Sequence, residues 1–247
     1  MTWKEPPRDR LRVWIGYDER EKCAYDVAEK TAKGWGCDVI PLYEERLRLA
    51  GMLTRPTDRR GHSKDLEQET REIFDLNSNA PQATEFAISR FFVPLLAHSG
   101  WCLFADSDVV FSEDPMELLA VADSSKAVMV VKHELNGLSG SKMRGQTQTS
   151  YPRKLWSSVM LWNCDHKATK RLNLTTLNQW PGRYLHAFEW LADSEIGDLP
   201  KEANWLVGLQ PKPQRPQIIH FTLGTPDMPN RIPTDADEIW WKAREAA

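Results

Sequence analysis

The order of apolar runs between residues 11 and 42 constrains the fold more than any other feature of the chain. Leu11 to Gly16 reads as a short buried strand that ends in Gly-Tyr-Asp. Glu21 to Lys33 reads as a helix closed by Gly34 and Gly36, since glycine just past a last turn accepts the backbone angles that end a helix. Asp38 to Leu42 is a second strand. A strand, a helix and a strand in that order predict a parallel α/β sheet.

The rest of the chain extends this pattern. Residues 51 to 82 are polar and charged, and predict a loop with one short helix around Leu66 to Phe74. From Thr84, Phe86, Phe91, Val93, Leu95 and Leu96 mark a helix ending near Gly100, with Pro94 as a kink or an early turn. Trp101 to Ala105 is an apolar strand that runs straight into Asp106-Ser107-Asp108, and Val109 to Phe111 follow. Pro115 to Ala122 begins a helix, and Ala127 to Val131, Ser157 to Trp162 and Gln217 to Phe221 read as strands. Residues 136 to 154 form a long polar connection, a length that inside a compact domain usually marks function or disorder. Asp235 to Ala247 reads as a terminal helix with Trp240 and Trp241, suited to docking on the core or to contact with a membrane or partner. Neither a repeat nor a linker interrupts the sequence, so residues 1–247 read as one domain.

Composition narrows the class of partner. With 247 residues, 41% of them hydrophobic, the chain can build a full core without disulfides or a structural metal. A net charge of −3 gives no global field to attract nucleic acid or an anionic membrane. Cys23, Cys37, Cys102 and Cys164 form no C-x-x-C pair, which predicts free thiols in a reducing compartment. The first residues carry no signal-like apolar stretch and no run is long enough to span a bilayer, so the expected location is the cytoplasm. Eleven tryptophans suit either carbohydrate stacking or core filling.

Asp106 and Asp108 stand at i and i+2 directly after a buried strand. Extended backbone there would turn both carboxylates to one side, as two hard oxygen ligands for a divalent ion such as Mn2+ or Mg2+. Open α/β sheets bind ligands beyond the carboxyl ends of their strands, which is where the pair falls. The same residues would also suit a turn in which the aspartates cap the next segment. His220, at the end of the last apolar strand, is the candidate third ligand, though a histidine there is also often just hydrogen-bonded in place. The loop after it, with Thr222, Gly224 and Thr225, offers backbone N–H groups to a phosphate.

Taken in order, Phe104-Ala-Asp-Ser-Asp-Val, Trp156-Ser-Ser-Val-Met-Leu-Trp-Asn and Ile219-His-Phe resemble the GT-A glycosyltransferases, close to family 8. Further segments resemble a group of bacterial proteins that carry the name glycosyltransferase: Ile15-Gly-Tyr-Asp, Thr84-Glu-Phe, Ser89-Arg-Phe, Lys142-Met-Arg-Gly-Gln, Gln148-Thr-Ser-Tyr-Pro-Arg-Lys, Glu195-Ile-Gly-Asp-Leu-Pro and Asn204-Trp. The resemblance covers residues 12 to 226. It implies a GT-A type α/β fold, with a Rossmann-like, mixed and mostly parallel sheet flanked by helices. It implies a nucleotide-sugar donor, a UDP-sugar by family habit, a saccharide or glycoconjugate acceptor, a divalent ion on Asp106, Asp108 and His220, and retention of configuration. By position it sets Gly16, Tyr17 and Asp18 beside the base and ribose, and Ser107 in the diphosphate turn. Arg90 then meets the donor sugar or its phosphates, with a surface salt bridge as the alternative. Asp193 and Glu195 fall beside the donor sugar, or serve as acids at a helix start.

One departure from family 8 stands out. The lysine that usually follows the histidine is missing from Phe221-Thr-Leu-Gly-Thr-Pro, so Lys142, Arg144, Arg153 and Lys154 become the candidate cations for the diphosphate, or else a solvated basic loop. Residues 136 to 154 would then order over the donor as a lid that excludes water. Two other readings compete. A sugar-phosphate nucleotidyltransferase also needs a divalent ion, but Ile15 to Arg20 holds one glycine where such enzymes carry a glycine-rich loop. A non-catalytic nucleotide-sugar or carbohydrate-binding protein would leave Asp106, Asp108 and His220 without a role.

Overall fold

The computed structural model describes residues 10–61, 71–134, 141–142, 146–147 and 153–246. β1 (Arg12–Gly16), α1 (Lys22–Gly34) and β2 (Asp38–Leu42) form the expected unit, with β1 and β2 parallel from Arg12 opposite Asp38 to Gly16 opposite Leu42. Past α1, Gly36 takes φ +79, a left-handed angle that favours glycine and turns the chain back toward β2. β6 (Trp101–Ala105) lies on the other side of β1, also parallel. β11 (Val159–Asn163), β8 (Val128–Val130) and β12 (Ile196–Asp198) complete a six-stranded sheet of order β12-β8-β11-β6-β1-β2. Only β11 runs against the others, so the sheet is mixed and mostly parallel.

Both faces of this sheet are covered, which is why its strands read as unbroken apolar runs. Trp14, Cys102, Phe104, Val130, Met160 and Trp162 point to one face, against α3 (Val93–Ala97), α4 (Leu174–Gln179) and α5 (Gly182–His186). Val13, Ile15, Leu103, Ala105, Val159 and Leu161 point to the other, against Tyr25, Ala28 and Ala32 of α1. The two-residue alternation of strand side chains thus assigns neighbours to opposite cores. Burying a large apolar side chain is worth about 1.5–3 kcal/mol, so each strand is fixed on both sides.

β7 (Val109–Phe111), β14 (Ile218–His220) and β13 (Trp205–Leu206) form a second sheet of order β13-β14-β7. It packs Val110, Ile219, Phe221 and Trp205 against Trp240 of α6 (Asp237–Glu245), which is wholly buried. Docking on the core is therefore the observed role of the terminal helix. Trp14, Trp162, Trp190, Trp205 and Trp240 are all core side chains, so core filling accounts for much of the tryptophan excess.

Three expectations are corrected. Arg71–Asp75, inside the segment predicted as a helix from Leu66 to Phe74, is a strand, β4. It pairs antiparallel with β3 (Thr57–Gly61) and β5 (Ala80–Gln82). A buried ion pair ties its end to α4: Arg55 donates to both Asp75 oxygens at 2.9 and 2.6 Å and to the Leu177 carbonyl. That long-range anchor overrides the local helical reading, and residues 62–70 lie outside the described ones. The helix predicted from Thr84 to Gly100 is α-helical only over Val93–Ala97, after a 3-10 turn at Ser89–Phe92. Pro94 occupies its first turn, where no N–H is needed. Pro115–Val121 is likewise 3-10. Two short strands, β9 (Ser141–Lys142) and β10 (Gln146–Thr147), pair within the long connection, whose remaining residues up to 152 lie largely outside the described ones.

Candidate metal centre

Asp106-Ser107-Asp108 is the crossover between the two sheets. β6 of the large sheet ends at Ala105, β7 of the small one begins at Val109, and the tripeptide bridges them. Two backbone hydrogen bonds clamp it: Asp106 N–H donates to the Ser158 carbonyl at 2.9 Å, and Phe221 N–H donates to the Asp108 carbonyl at 2.8 Å. Because β14 is antiparallel to β7, His220 stands opposite Val109, next to Asp108. A carboxylate oxygen from each aspartate and a ring nitrogen of His220 all lie within 4.8 Å of one another.

That spacing fits a single hard or borderline divalent ion. Ligands about 2.1–2.4 Å from one centre stand roughly 3–4.8 Å apart, and two carboxylates with one imidazole are a donor set such ions accept. His220 Nε2 lies 3.0 Å from Asp108 Oδ1, and His220 Nδ1 lies 3.0 Å from Asn204 Oδ1. An imidazole held through its other nitrogen is the usual arrangement for a metal ligand.

Arg90 is not on the surface. It is 5% exposed and its guanidinium lies beside the Phe86 and Phe104 rings, 5.2 and 5.1 Å from their centroids. Its Nη1 donates to the Ser157 carbonyl and stands 2.8 Å from Asp106 Oδ1. The exposed salt bridge weighed from sequence is thus replaced by a buried one on a candidate ligand.

Gly16 ends β1 level with Asp106, and a Cβ there would fall 2.4 Å from the Phe86 ring, so packing demands glycine. Tyr17 packs against Tyr25 and Tyr43, and its hydroxyl donates to Glu19. Asp18 is wholly buried and accepts from the Arg20 guanidinium and from the Arg20 and Glu85 N–H groups. Burial alone would raise its pKa, but Arg20 outweighs this and the net shift is downward. Asp18 is therefore a cap that joins the β1 turn to residue 85. Gly224, at φ +113, closes a turn onto the Phe221 carbonyl just beyond His220.

Glu21 is a member of the site that the sequence reading missed. Its carboxylate accepts from the Ser107 hydroxyl at 2.8 Å, holding the middle of the crossover. Burial first, then the neighbouring Asp108 and Asp18 charges, push its pKa up to about 7. The acid before α1 looked like ordinary helix-start chemistry, so sequence gave no signal.

Glu195 is not brought to this edge. It precedes β12, whose Ile196 pairs with Val128, which pairs with Trp162, which pairs with Cys102. Ala127 N–H donates to the Glu195 carbonyl, so Glu195 sits at the opposite end of the sheet, roughly 16 Å along the strands from Asp106. Glu195 is neutralised there by Arg171. Asp193 pairs with Arg153, which stacks on Trp156, and the Trp156 indole N–H donates to the His133 carbonyl just past the carboxyl end of β8. Arg153 also donates to the Ala187 carbonyl. Lys154 is half-buried, the side chain of Lys142 lies outside the described residues, and so does Arg144.

No protein-family profile matches the chain. Among solved structures it resembles the glycosyltransferase GlyE of Streptococcus pneumoniae TIGR4, with TM-score 0.57, 13% identity and 96% of this chain aligned to 61% of that one. It also resembles the bifunctional glycosyltransferase WbbM, with TM-score 0.55, 14% identity and 97% of this chain aligned to 53%. The galactosyltransferase LgtC, solved with donor and acceptor sugar analogues, aligns over 95% of both chains with TM-score 0.50 and 11% identity. The chain thus spans about three-fifths and half of the lengths of GlyE and WbbM. Together with the sheet order, these likenesses define the fold as the GT-A type. Protein CDI of Arabidopsis thaliana is 34% identical over 225 residues, covering 87% of this chain and 79% of that protein, and the chain belongs to its family.

Proposed function

We propose that the protein transfers a sugar from a nucleotide-sugar donor, a UDP-sugar, to a saccharide or glycoconjugate acceptor, with Mn2+ or Mg2+ held by Asp106, Asp108 and His220. The observation that carries this reading is the convergence of those three ligands, from two different sheets, at the carboxyl edge of a GT-A fold. LgtC, a fold neighbour solved with donor and acceptor sugar analogues, supports a sugar donor.

When bound, the ion would neutralise charge on the departing diphosphate. The chain's own residues do the rest. Arg90 fixes Asp106 and carries positive charge to the same edge, in a site lined by Phe86 and Phe104. Glu21, through Ser107, holds the crossover so that the two aspartates keep their spacing. The N–H groups around Gly224 lie one turn beyond His220, suited to a phosphate. Retention of configuration is the outcome that the family 8 likeness implies, and proton NMR of the first product would read it.

A thermal-shift panel of nucleotide-sugars with and without Mn2+ tests the proposal. Stabilisation grows as ln(1 + [L]/Kd), so the true donor should raise Tm only with the ion present, and not in Asp108→Ala. Equal shifts in wild type and Asp108→Ala would overturn it. Among the described residues, no helix is long and apolar enough to cross a membrane.

A further inference from the structure

Behind His220 lies a buried polar chain that joins three strand ends. Asn204, wholly buried just before β13, places Oδ1 3.0 Å from His220 Nδ1. Its Nδ2 stands 2.9 Å from Ser158 Oγ and 3.0 Å from His133 Nε2. His133, just past β8, has its Nδ1 3.1 Å from the Gln210 amide.

The direction of every bond in this chain follows from one hydroxyl. Ser158 has a single proton and donates it to the Leu155 carbonyl at 2.7 Å. Its oxygen facing Asn204 can therefore only accept, so the Asn204 atom there must be the NH2 group. The amide is thereby oriented and its oxygen must face His220. An amide oxygen only accepts, so His220 carries a proton on Nδ1. The remaining nitrogen, Nε2, is the one beside Asp108 and within the candidate ligand cluster. The second Asn204 N–H meets His133 Nε2, which accepts, so the His133 proton sits on Nδ1. The Gln210 amide, whose Nε2 stands 3.1 Å from that atom, must then turn its oxygen toward it.

We propose that Asn204 is a positioning residue that, oriented by Ser158, locks His220 in the tautomer that presents the Nε2 lone pair to the divalent ion. Ser158 thereby serves both arms of the site, since its carbonyl also holds the Asp106 N–H. The inference rests on the metal reading above for its purpose, but the Nδ1 proton is a property of the metal-free protein, whatever fills the 3.0 Å gap between Nε2 and Asp108 Oδ1.

The test uses the full chain labelled with 15N-histidine, in chelator, with two-bond 1H–15N spectra to read each ring and His220→Gln to assign the signal. The wild type should show His220 with its proton on Nδ1. Asn204→Leu should lose that bias and weaken binding of Mn2+ alone by about 10–100-fold. Asn204→Asp, which keeps an acceptor toward Nδ1, should keep the tautomer and bind within about threefold of wild type, well short of that loss. If Asn204→Leu does not fold, Ser158→Ala carries the test: the freed amide can turn over, and a mixture of tautomers should appear. A neutral His220 protonated on Nε2 in the wild type overturns the proposal. So does an unchanged tautomer in a folded Asn204→Leu or Ser158→Ala variant. Equal Mn2+ binding by wild type and Asp108→Ala would instead sink the metal reading, and the spectra alone would then judge Asn204.

Discussion

The two ends of the six-stranded sheet carry the same kinds of residue and treat them in opposite ways. At the far end, Glu195 is matched by Arg171. Burial alone would raise the Glu195 pKa, but Arg171 and the Ala192 N–H outweigh it, and the net shift is downward. At the carboxyl edge of β6, Asp106, Asp108 and Glu21 crowd together, Arg90 pairs with Asp106, and Glu21 is driven up to about 7. Among the described residues, charge is paired at one end and carboxylates are gathered at the other, the arrangement that the proposed divalent ion would complement.

The sharpest way to break this comparison is at the ligands. Asp108→Ala should lower donor turnover with Mn2+ by about 10²–10³-fold, on the scale of losing one charge-stabilising group. Glu195→Gln should leave it within about twofold of wild type, because its pair with Arg171 is half-exposed and worth only about 0–1 kcal/mol. Steady-state kinetics on the two variants decide which end of the sheet matters. A large loss in Glu195→Gln would return that acid to the donor site.

Stability gives the next contrast. Arg90→Leu removes one partner of a buried pair and leaves Asp106 uncompensated, so urea unfolding should show a loss of about 3–5 kcal/mol. Adding Asp106→Asn should recover part of it. Arg171→Ala, whose pair with Glu195 is half-exposed, should cost under about 1 kcal/mol.

Glu21 offers a pH test whose sign differs from that of Glu195. Its folded pKa of about 7 lies above the ordinary 4.5, so the unfolded chain ionises first. Stability therefore falls as pH rises from 4.5 to 7 and stays low above that. In chelator, Glu21→Gln should be more stable than wild type at pH 8, by on the order of 3 kcal/mol at most, and no more stable at pH 4. Glu195 is lowered, so its contribution is present above 4.5 and lost as pH falls below it. The smallest effect expected is that of Glu195→Gln, a drop of under about 1 kcal/mol at pH 7 that vanishes in acid. Urea titrations at the two pH values check both.

Much of the candidate metal centre was legible because it is local. Asp106 and Asp108 announce themselves by following a buried strand, and His220 by ending another. Arg90 was legible as a residue of interest but not as a buried one. Nothing local says that Phe86 and Phe104 will lie beside its guanidinium. Asp193 and Glu195 stand at the spacing of a family motif, and only the register of β12 on β8 reveals which end of the sheet Glu195 occupies. Glu21, Asn204 and His133 lie 86, 46 and 71 residues from the side chains they bond, beyond the reach of any spacing rule.

The sequence by itself determined the α/β class, five of the six strands of the large sheet and the identity of three metal-ligand candidates. Apolar periodicity and hard-ligand chemistry are properties of a few neighbouring residues. The tertiary structure alone decided that Arg71–Asp75 would be a strand, which acids gather at the crossover, and how His220 is held. Those outcomes depend on which strand ends meet, and pairing between distant strands is set by the packing of both sheet faces at once.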